Sequence, residues 1–122
     1  MIILRDKIKV IPYDKNNIDK YKSPENLLKH ARVNKNTDGI MLITNSGNLI
    51  GYCGWERNWI IALEVCKDYR GRGYGDLLLK TALNSGCTGL TVNKNNQVAI
   101  SLYKKYGFKP TLENNNRMNM EL

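Results

Sequence analysis

Apolar and polar positions alternate from Ile8 to Ile11 and stop at Pro12, which predicts a first short strand. Ser23-Pro24-Glu25 reads as a helix start. Serine caps free amides, proline suits the first turn, and glutamate suits the positive end of the dipole. Leu27, Leu28 and Ala31 then form an apolar stripe, with Lys29, His30 and Arg32 opposite. After Asp38-Gly39 come two apolar runs, 40–43 and 49–53, joined by the turn Asn45-Ser-Gly-Asn48, the pattern of an antiparallel hairpin. Residues 59–65 are too continuously apolar for a surface strand, so they predict a central one covered on both faces.

Tyr74, Leu77, Leu78 and Ala82 recur at helical spacing, and Gly86 is a suitable stop. Leu90-Thr-Val92 reads as a further strand. Asn95 or Asn96 can cap a second helix with Val98, Ala99, Leu102, Tyr103 and Tyr106 on one face, ended by Gly107. Phe108 opens a short strand that Pro110 closes, asparagines 114–116 form a turn, and residues 117–122 alternate as a last strand. The predicted order is strand, helix, three strands, helix, strand, helix, two strands. That order gives an α/β (α+β) fold with a mixed, mostly antiparallel sheet and helices on both faces.

A chain of 122 residues is one domain, 1–122, large enough for an ordinary core. Its 42% hydrophobic and 25% charged fractions exclude a disordered or fibrous chain. No apolar run approaches the ~20 residues that span a bilayer, and the opening Met-Ile-Ile-Leu is too short for an export signal. A soluble, cytoplasmic protein with no membrane partner is the expectation. Three scattered cysteines and a single histidine, His30, exclude zinc fingers, a Ser-His-Asp triad and a Cys-His dyad, and no metal site is expected. The net charge of +8 is spread along the chain, and such a field raises encounter with any polyanion: nucleic acid, a phosphorylated cofactor or an acidic protein. No helix-turn-helix signature or interleaved aromatic and basic stripe accompanies the charge, so nucleic acid is the weaker of these readings.

The informative segment is Arg70-Gly71-Arg72-Gly73-Tyr74-Gly75, set between a buried strand and a helix. Glycines let the backbone bend tightly and approach a ligand, and the unpaired amides of the helix start favour an anion such as a pyrophosphate. Arg70 and Arg72 add charge and donors. A P-loop would need Gly-Lys-Ser/Thr, which is absent, and a dinucleotide fingerprint would need a glycine where Asp76 stands.

With its surroundings the segment resembles the GCN5-related N-acetyltransferase (GNAT) family. That family has a strand followed by [RQ]-x-x-G-x-[GA] at a helix start, matched here by Leu63-Glu-Val65 and then Arg70, Gly73 and Gly75. Its second element, an asparagine and a helix ending in Y-x-x-x-G-F, is matched by Asn96 through Tyr103, Gly107 and Phe108. The resemblance covers roughly residues 39–122, and the first third is short for the family.

The resemblance implies acetyl-coenzyme A as co-substrate, lying between two parallel strands that splay apart, Leu63–Val65 and Leu90–Val92. Main-chain groups of Leu63 and Val65 would pair with the pantetheine arm, the amides of Gly71, Arg72, Gly73, Tyr74, Gly75 and Asp76 would hold the pyrophosphate, and Asn96 would bond the arm from the far side. The reaction would be direct acyl transfer to a primary amine in a ternary complex. The Val65 amide would stabilise the oxyanion, and Tyr103 would serve as the acid at the departing sulfur. Some members carry a basic glutamate on the second splayed strand, where Thr91 stands, so Glu64 is the carboxylate available here, with a water chain as the alternative. Three departures stand out: Lys67 replaces a customary proline, Asp76 puts a carboxylate where it would repel phosphate, and Cys66 lies near the expected thioester. The acceptor cleft, walled by the short first helices and the loop from Leu112 to Arg117, should be open enough for a protein amine or a small molecule. The alternatives are a catalytically weak coenzyme A-binding sensor and a basic nucleic-acid-associated protein.

Overall fold

Seven strands form one sheet: β1 (Ile8–Pro12), β2 (Asp38–Thr44), β3 (Leu49–Glu56), β4 (Trp59–Val65), β5 (Gly89–Asn93), β6 (Lys109–Glu113) and β7 (Arg117–Glu121). Two helices are α1 (Tyr74–Asn84) and α2 (Gln97–Lys105), and 3-10 turns cover Ile18–Lys20 and Lys67–Tyr69. The computed structural model describes residues 7–14, 16–24, 27–29 and 38–122. The expected helix after Ser23 is therefore described only at 27–29; Glu25, His30, Ala31 and Arg32 lie outside the described residues. Leu27 and Leu28 both donate to the Pro24 carbonyl at 3.1 Å. Ser23 Oγ is buried with no partner among the described residues.

The sheet runs β1-β2-β3-β4-β5-β7-β6, antiparallel at every step except between β4 and β5. Short turns dictate the antiparallel pairs β2–β3, β3–β4 and β6–β7. The hairpin from β2 to β3 is closed by Thr44 N to Asn48 O at 3.0 Å and Asn48 N to Thr44 Oγ1 at 3.1 Å. The parallel step needs a crossover, which α1 supplies. The predicted element order matches, and β4 is central as expected.

One core lies between the sheet and both helices, with Ile40, Leu42, Cys53, Leu78, Ala82, Leu90, Ile100 and Tyr103 among its members. The opposite face holds Met41, Ile43, Leu49, Tyr52 and Ala62 beneath Ile18 and Leu27. In α2 the buried face centres on Ile100 and Tyr103, whereas Val98, expected to be packed, is 85% exposed. Asn96 Oδ1 accepts from Ala99 N, the predicted cap. Gly107, at φ 94°, ends the helix with Phe108 N bonding the Tyr103 carbonyl.

Two strands differ from the pattern. Pro110 does not close β6; the strand runs through it with an irregularity between Pro110 and Leu112. An edge strand tolerates a residue with no N–H to donate. In β4 the pairing passes from Trp55↔Ile60 to Gly54↔Ala62, so Ile61 has no partner on β3. This bulge exposes Ile61 and leaves Leu63, Glu64 and Val65 half-buried, so the strand is not covered on both faces along its whole length.

Candidate functional site

The bulge decides where the two parallel strands part. β4 and β5 pair at Trp59↔Gly89 and Ile60↔Leu90, and the ladder stops as Ile61 is inserted. Beyond it β4 keeps β3 as its partner while β5 keeps β7 through Asn93↔Arg117, so a gap opens between Leu63–Val65 and Thr91–Asn93. Cys66 N donates to Ile50 O at 2.8 Å, which makes that position a hydrogen-bonded pair with β3. Antiparallel alternation then turns the main-chain groups of Val65 and Leu63 away from β3, toward the gap. Arg70 Nε donates to the Val65 carbonyl at 3.0 Å from that side. The carbonyl is thus already engaged, and the Val65 N–H is the group left for a ligand.

Arg70 begins the glycine turn. Gly71 and Gly73 have φ of 75° and 86°, and a methyl added at either would meet nothing within 4 Å among the described residues, so both positions face open space. Gly73 caps α1, its carbonyl accepting from Leu77 N at 3.0 Å. The N–H groups of residues 71–76 find no main-chain acceptor among the described residues. They form a row of donors at the positive end of the α1 dipole. The turn is stiffened from outside: the Arg72 guanidinium sits 5.2 Å from the Tyr69 ring centre, and Tyr69 contacts Tyr74. A diphosphate on an extended arm fits this arrangement: an open corner of N–H donors with no main-chain acceptor among the described residues, and an unpaired strand edge leading away from it.

Asp76 was expected to repel phosphate. Its Oδ1 instead accepts from Lys105 Nζ at 2.7 Å and from the Tyr106 hydroxyl at 2.8 Å. These two bonds, the lysine's first, hold its carboxyl below the usual range, and the lysine cancels its charge. Gly75 serves packing: a methyl there would touch Leu102 Cδ2 at 3.4 Å, ordinary contact between the two helices.

Tyr103 projects from α2 into the core that also holds Leu63 and Val65, and it is 5% exposed. Burial first, then the neighbouring Cys53, pushes its phenol well above the ordinary value, so it stays protonated. Asn96 uses Oδ1 for its cap and keeps the amide nitrogen as a donor.

On the other side of β4, Glu64 is half-buried in a cleft of about 140 Å³ with Pro24, Leu27, Val65, Cys66, Lys67, Asp68 and Arg70. Cys66 Sγ donates to the Leu49 carbonyl at 3.6 Å, and burial outweighs the opposing pull of Arg70 to raise its pKa. It is a held thiol, not a primed thiolate.

Thr91 has a role the sequence did not disclose. Trp59 Nε1 donates to Thr91 Oγ1 at 3.0 Å, and Thr91 Oγ1 donates to Asn119 Oδ1 at 2.9 Å. The Trp59 ring lies where a Gly89 side chain would be, so glycine at 89 is what lets the indole reach across. This chain ties β4, β5 and β7 together at the closed end of the gap. A tryptophan, a threonine and an asparagine separated by about thirty residues offer no sequence signal for it.

The sequence profile of the acetyltransferase (GNAT) domain matches residues 36–110. A peptidyl-lysine N-acetyltransferase, YjaB, of Salmonella typhimurium is 37% identical over 57% of this chain and 48% of its own length. The chain spans about half the length of the curated relatives it matches. Among solved structures, the apo form of YjaB from Escherichia coli has a TM-score of 0.69 at 20% identity, covering 94% of this chain and 97% of that one. The ribosomal-protein-S18-alanine N-acetyltransferase of Escherichia coli has the same TM-score at 17% identity, covering 95% and 93%. The profile match takes in more than half the chain, including the bulged strand, the glycine turn and the Asn96-capped helix, and on that evidence the chain belongs to the GNAT acetyltransferase family.

Proposed function

We propose that this chain is an acetyl-coenzyme A-dependent N-acetyltransferase acting on a primary amine carried by a protein. The observation that carries the reading is the β4 edge beyond Ile61: a strand edge not paired with β5, with the Val65 N–H turned into a gap, leading to a corner of amides with no main-chain acceptor among the described residues. The peptidyl-lysine activity named for the Salmonella relative supports a protein amine as acceptor. So does the loop between β6 and β7, only residues 114–116, which raises no high wall. A sensor that binds coenzyme A without turnover draws support from Asp76 and from the glutamate missing where Thr91 stands; Lys105 weakens the first of these.

Acetyl-coenzyme A supplies the acetyl group as a thioester. The amides of 71–76, with Arg70 and Arg72, hold the diphosphate, and the Leu63 and Val65 edge and the Asn96 amide hold the arm. The Val65 N–H donates to the acyl oxygen as negative charge grows there; such a donor is worth ~3 kcal/mol. Glu64, reaching the cleft on the opposite face, takes a proton from the attacking amine. As the new C–N bond forms and the C–S bond breaks, the Tyr103 hydroxyl donates to the sulfur. A thiol is more acidic than a phenol by about 1.5 pK units even without burial, so the hydrogen bond tightens first and the proton passes late.

The test is thermal unfolding with acetyl-coenzyme A, then mass analysis of peptides carrying a free α-amine or a lysine. Ligand at 100 times Kd adds ~2.7 kcal/mol of stability. No stabilisation would remove the donor site; stabilisation without transfer to any amine would return the sensor reading.

A further inference from the structure

The two helices beside the gap are joined at the surface by one charged contact. Asp76, in the first turn of α1, receives Lys105 Nζ and the Tyr106 hydroxyl on the same oxygen, Oδ1, at 2.7 and 2.8 Å. Lys105 is the last residue of α2, and its ammonium also lies 5.6 Å from the Tyr106 ring centre. The Asp76 side chain is 30% exposed and that of Lys105 65%, so the pair sits in the surface layer, open to solvent on the lysine side.

An aspartate in a first turn suits the helix dipole. This one, however, shares its turn with the amides proposed to hold a diphosphate, and an uncompensated carboxylate there opposes the anion. The turn's own cations also make contacts within the protein, Arg70 Nε with the Val65 carbonyl and Arg72 with the face of Tyr69. We infer that Lys105 sets donor affinity: by cancelling the Asp76 charge from another helix, it keeps the glycine turn open to a diphosphate. This rests on the donor-site reading above. It concerns a residue at an unspecified position of the second motif, between Tyr103 and Gly107, 29 positions from its partner.

A merely mechanical tether makes a different prediction from a charge role. A tether is lost equally from either end, whereas charge makes the two ends unequal. Asp76→Asn keeps an oxygen acceptor for Lys105 and Tyr106 but removes the negative charge. Lys105→Met leaves that charge facing the anion.

The experiment is calorimetric titration of coenzyme A into wild type, Lys105→Met, Asp76→Asn and the double variant, at low and high salt, with thermal melts to confirm folding. Lys105→Met is expected to weaken binding on the order of tenfold at low salt, with the loss shrinking as salt screens it. Asp76→Asn is expected to bind at least as tightly as wild type, and the double variant to return to within about twofold of it. If Lys105→Met binds like wild type, or the double variant stays as weak as Lys105→Met, the inference is overturned while the donor site stands. If folded wild type does not bind coenzyme A at all, the donor-site reading fails and takes the inference with it.

Discussion

Arg70 Nε donates to the Val65 carbonyl at 3.0 Å, so the arginine that opens the glycine turn is fastened to the last residue of β4. The bond fixes the angle between the strand edge and the corner of amides. Lysine cannot reproduce it, because its charge ends a longer stem and lacks the planar Nε donor. Arg70→Lys should therefore weaken acetyl-coenzyme A binding several-fold while changing stability by no more than about 1 kcal/mol, since the pair is exposed. Titration of donor and a thermal melt on the same sample check both halves; equal affinity in the two proteins would deny the strut its role.

Gly73 and Gly75 share a motif but do different work. Gly73 holds φ 86°, where a side chain costs roughly 1–2 kcal/mol, and it lies in the row of free amides. Gly75 is helical, and an added methyl meets only Leu102 at ordinary distance. Gly73→Ala should lower stability by about 1 kcal/mol and impair donor binding. Gly75→Ala should fall within about 0.5 kcal/mol of wild type, helix propensity offsetting the new contact. Denaturant titrations of the two variants side by side would reverse this ordering if the division of labour is wrong.

These glycines were legible because local chemistry announces them: a tight turn before a periodic helix has few other readings. Asn96 and Gly107 were legible for the same reason, one capping and one ending α2. Ile61 was not. The apolar run from Trp59 to Leu63 has no polar position to mark a change of face, so the bulge that opens the gap is silent in sequence. Val98 misled because an apolar residue at a helix start fits the periodic template whether or not anything covers it. Pro110 misled because the prohibition on proline lapses at a sheet edge, and which strand is the edge is a property of topology. The charge of Asp76 was visible but its cancellation was not, since Lys105 arrives from a different helix.

The resemblance to the family would allow a basic glutamate at the place of Thr91, yet the Thr91 hydroxyl is committed to Trp59 and Asn119. Thr91→Val leaves the indole N–H and the Asn119 oxygen without that partner in a partly buried place, at a cost of about 1–3 kcal/mol. Thr91→Glu should also destabilise and bring no gain in turnover, because a carboxylate there replaces a structural link. A stable, faster Thr91→Glu enzyme would show that the position is a catalytic slot after all.

Stability should fall on the alkaline side. Burial, with the Asp38 carboxylate adding to it, raises the Cys87 thiol from 9.0 to about 11. Cys53 and Tyr103 shift in the same direction, mainly through burial. A folded pKa above the unfolded one gives stability that is complete below the unfolded value and lost as pH climbs toward the folded one, because the unfolded chain ionises first. Tm should hold steady up to about pH 9 and decline between 9 and 11, and Cys87→Ala should make that decline shallower whatever it does to Tm at neutral pH. A wild-type Tm that stays flat through this window would contradict the burial argument.

Tyr103→Phe separates catalysis from binding. The ring keeps its place against Phe108, with centroids 6.1 Å apart, so the fold and donor affinity should change little. What is lost is the hydroxyl at the sulfur, and general-acid assistance is commonly worth on the order of a hundredfold or more in kcat. Burial holds the phenol protonated well above the ordinary range, so the group does not titrate near neutral pH. The loss should then be a constant factor between about pH 7 and 9, with parallel profiles for wild type and variant, while Kd for acetyl-coenzyme A stays within about twofold. A loss that shrinks as pH rises would mean the tyrosine ionises far below the value its burial dictates. An unchanged kcat would mean that water, and not Tyr103, protonates the leaving thiolate.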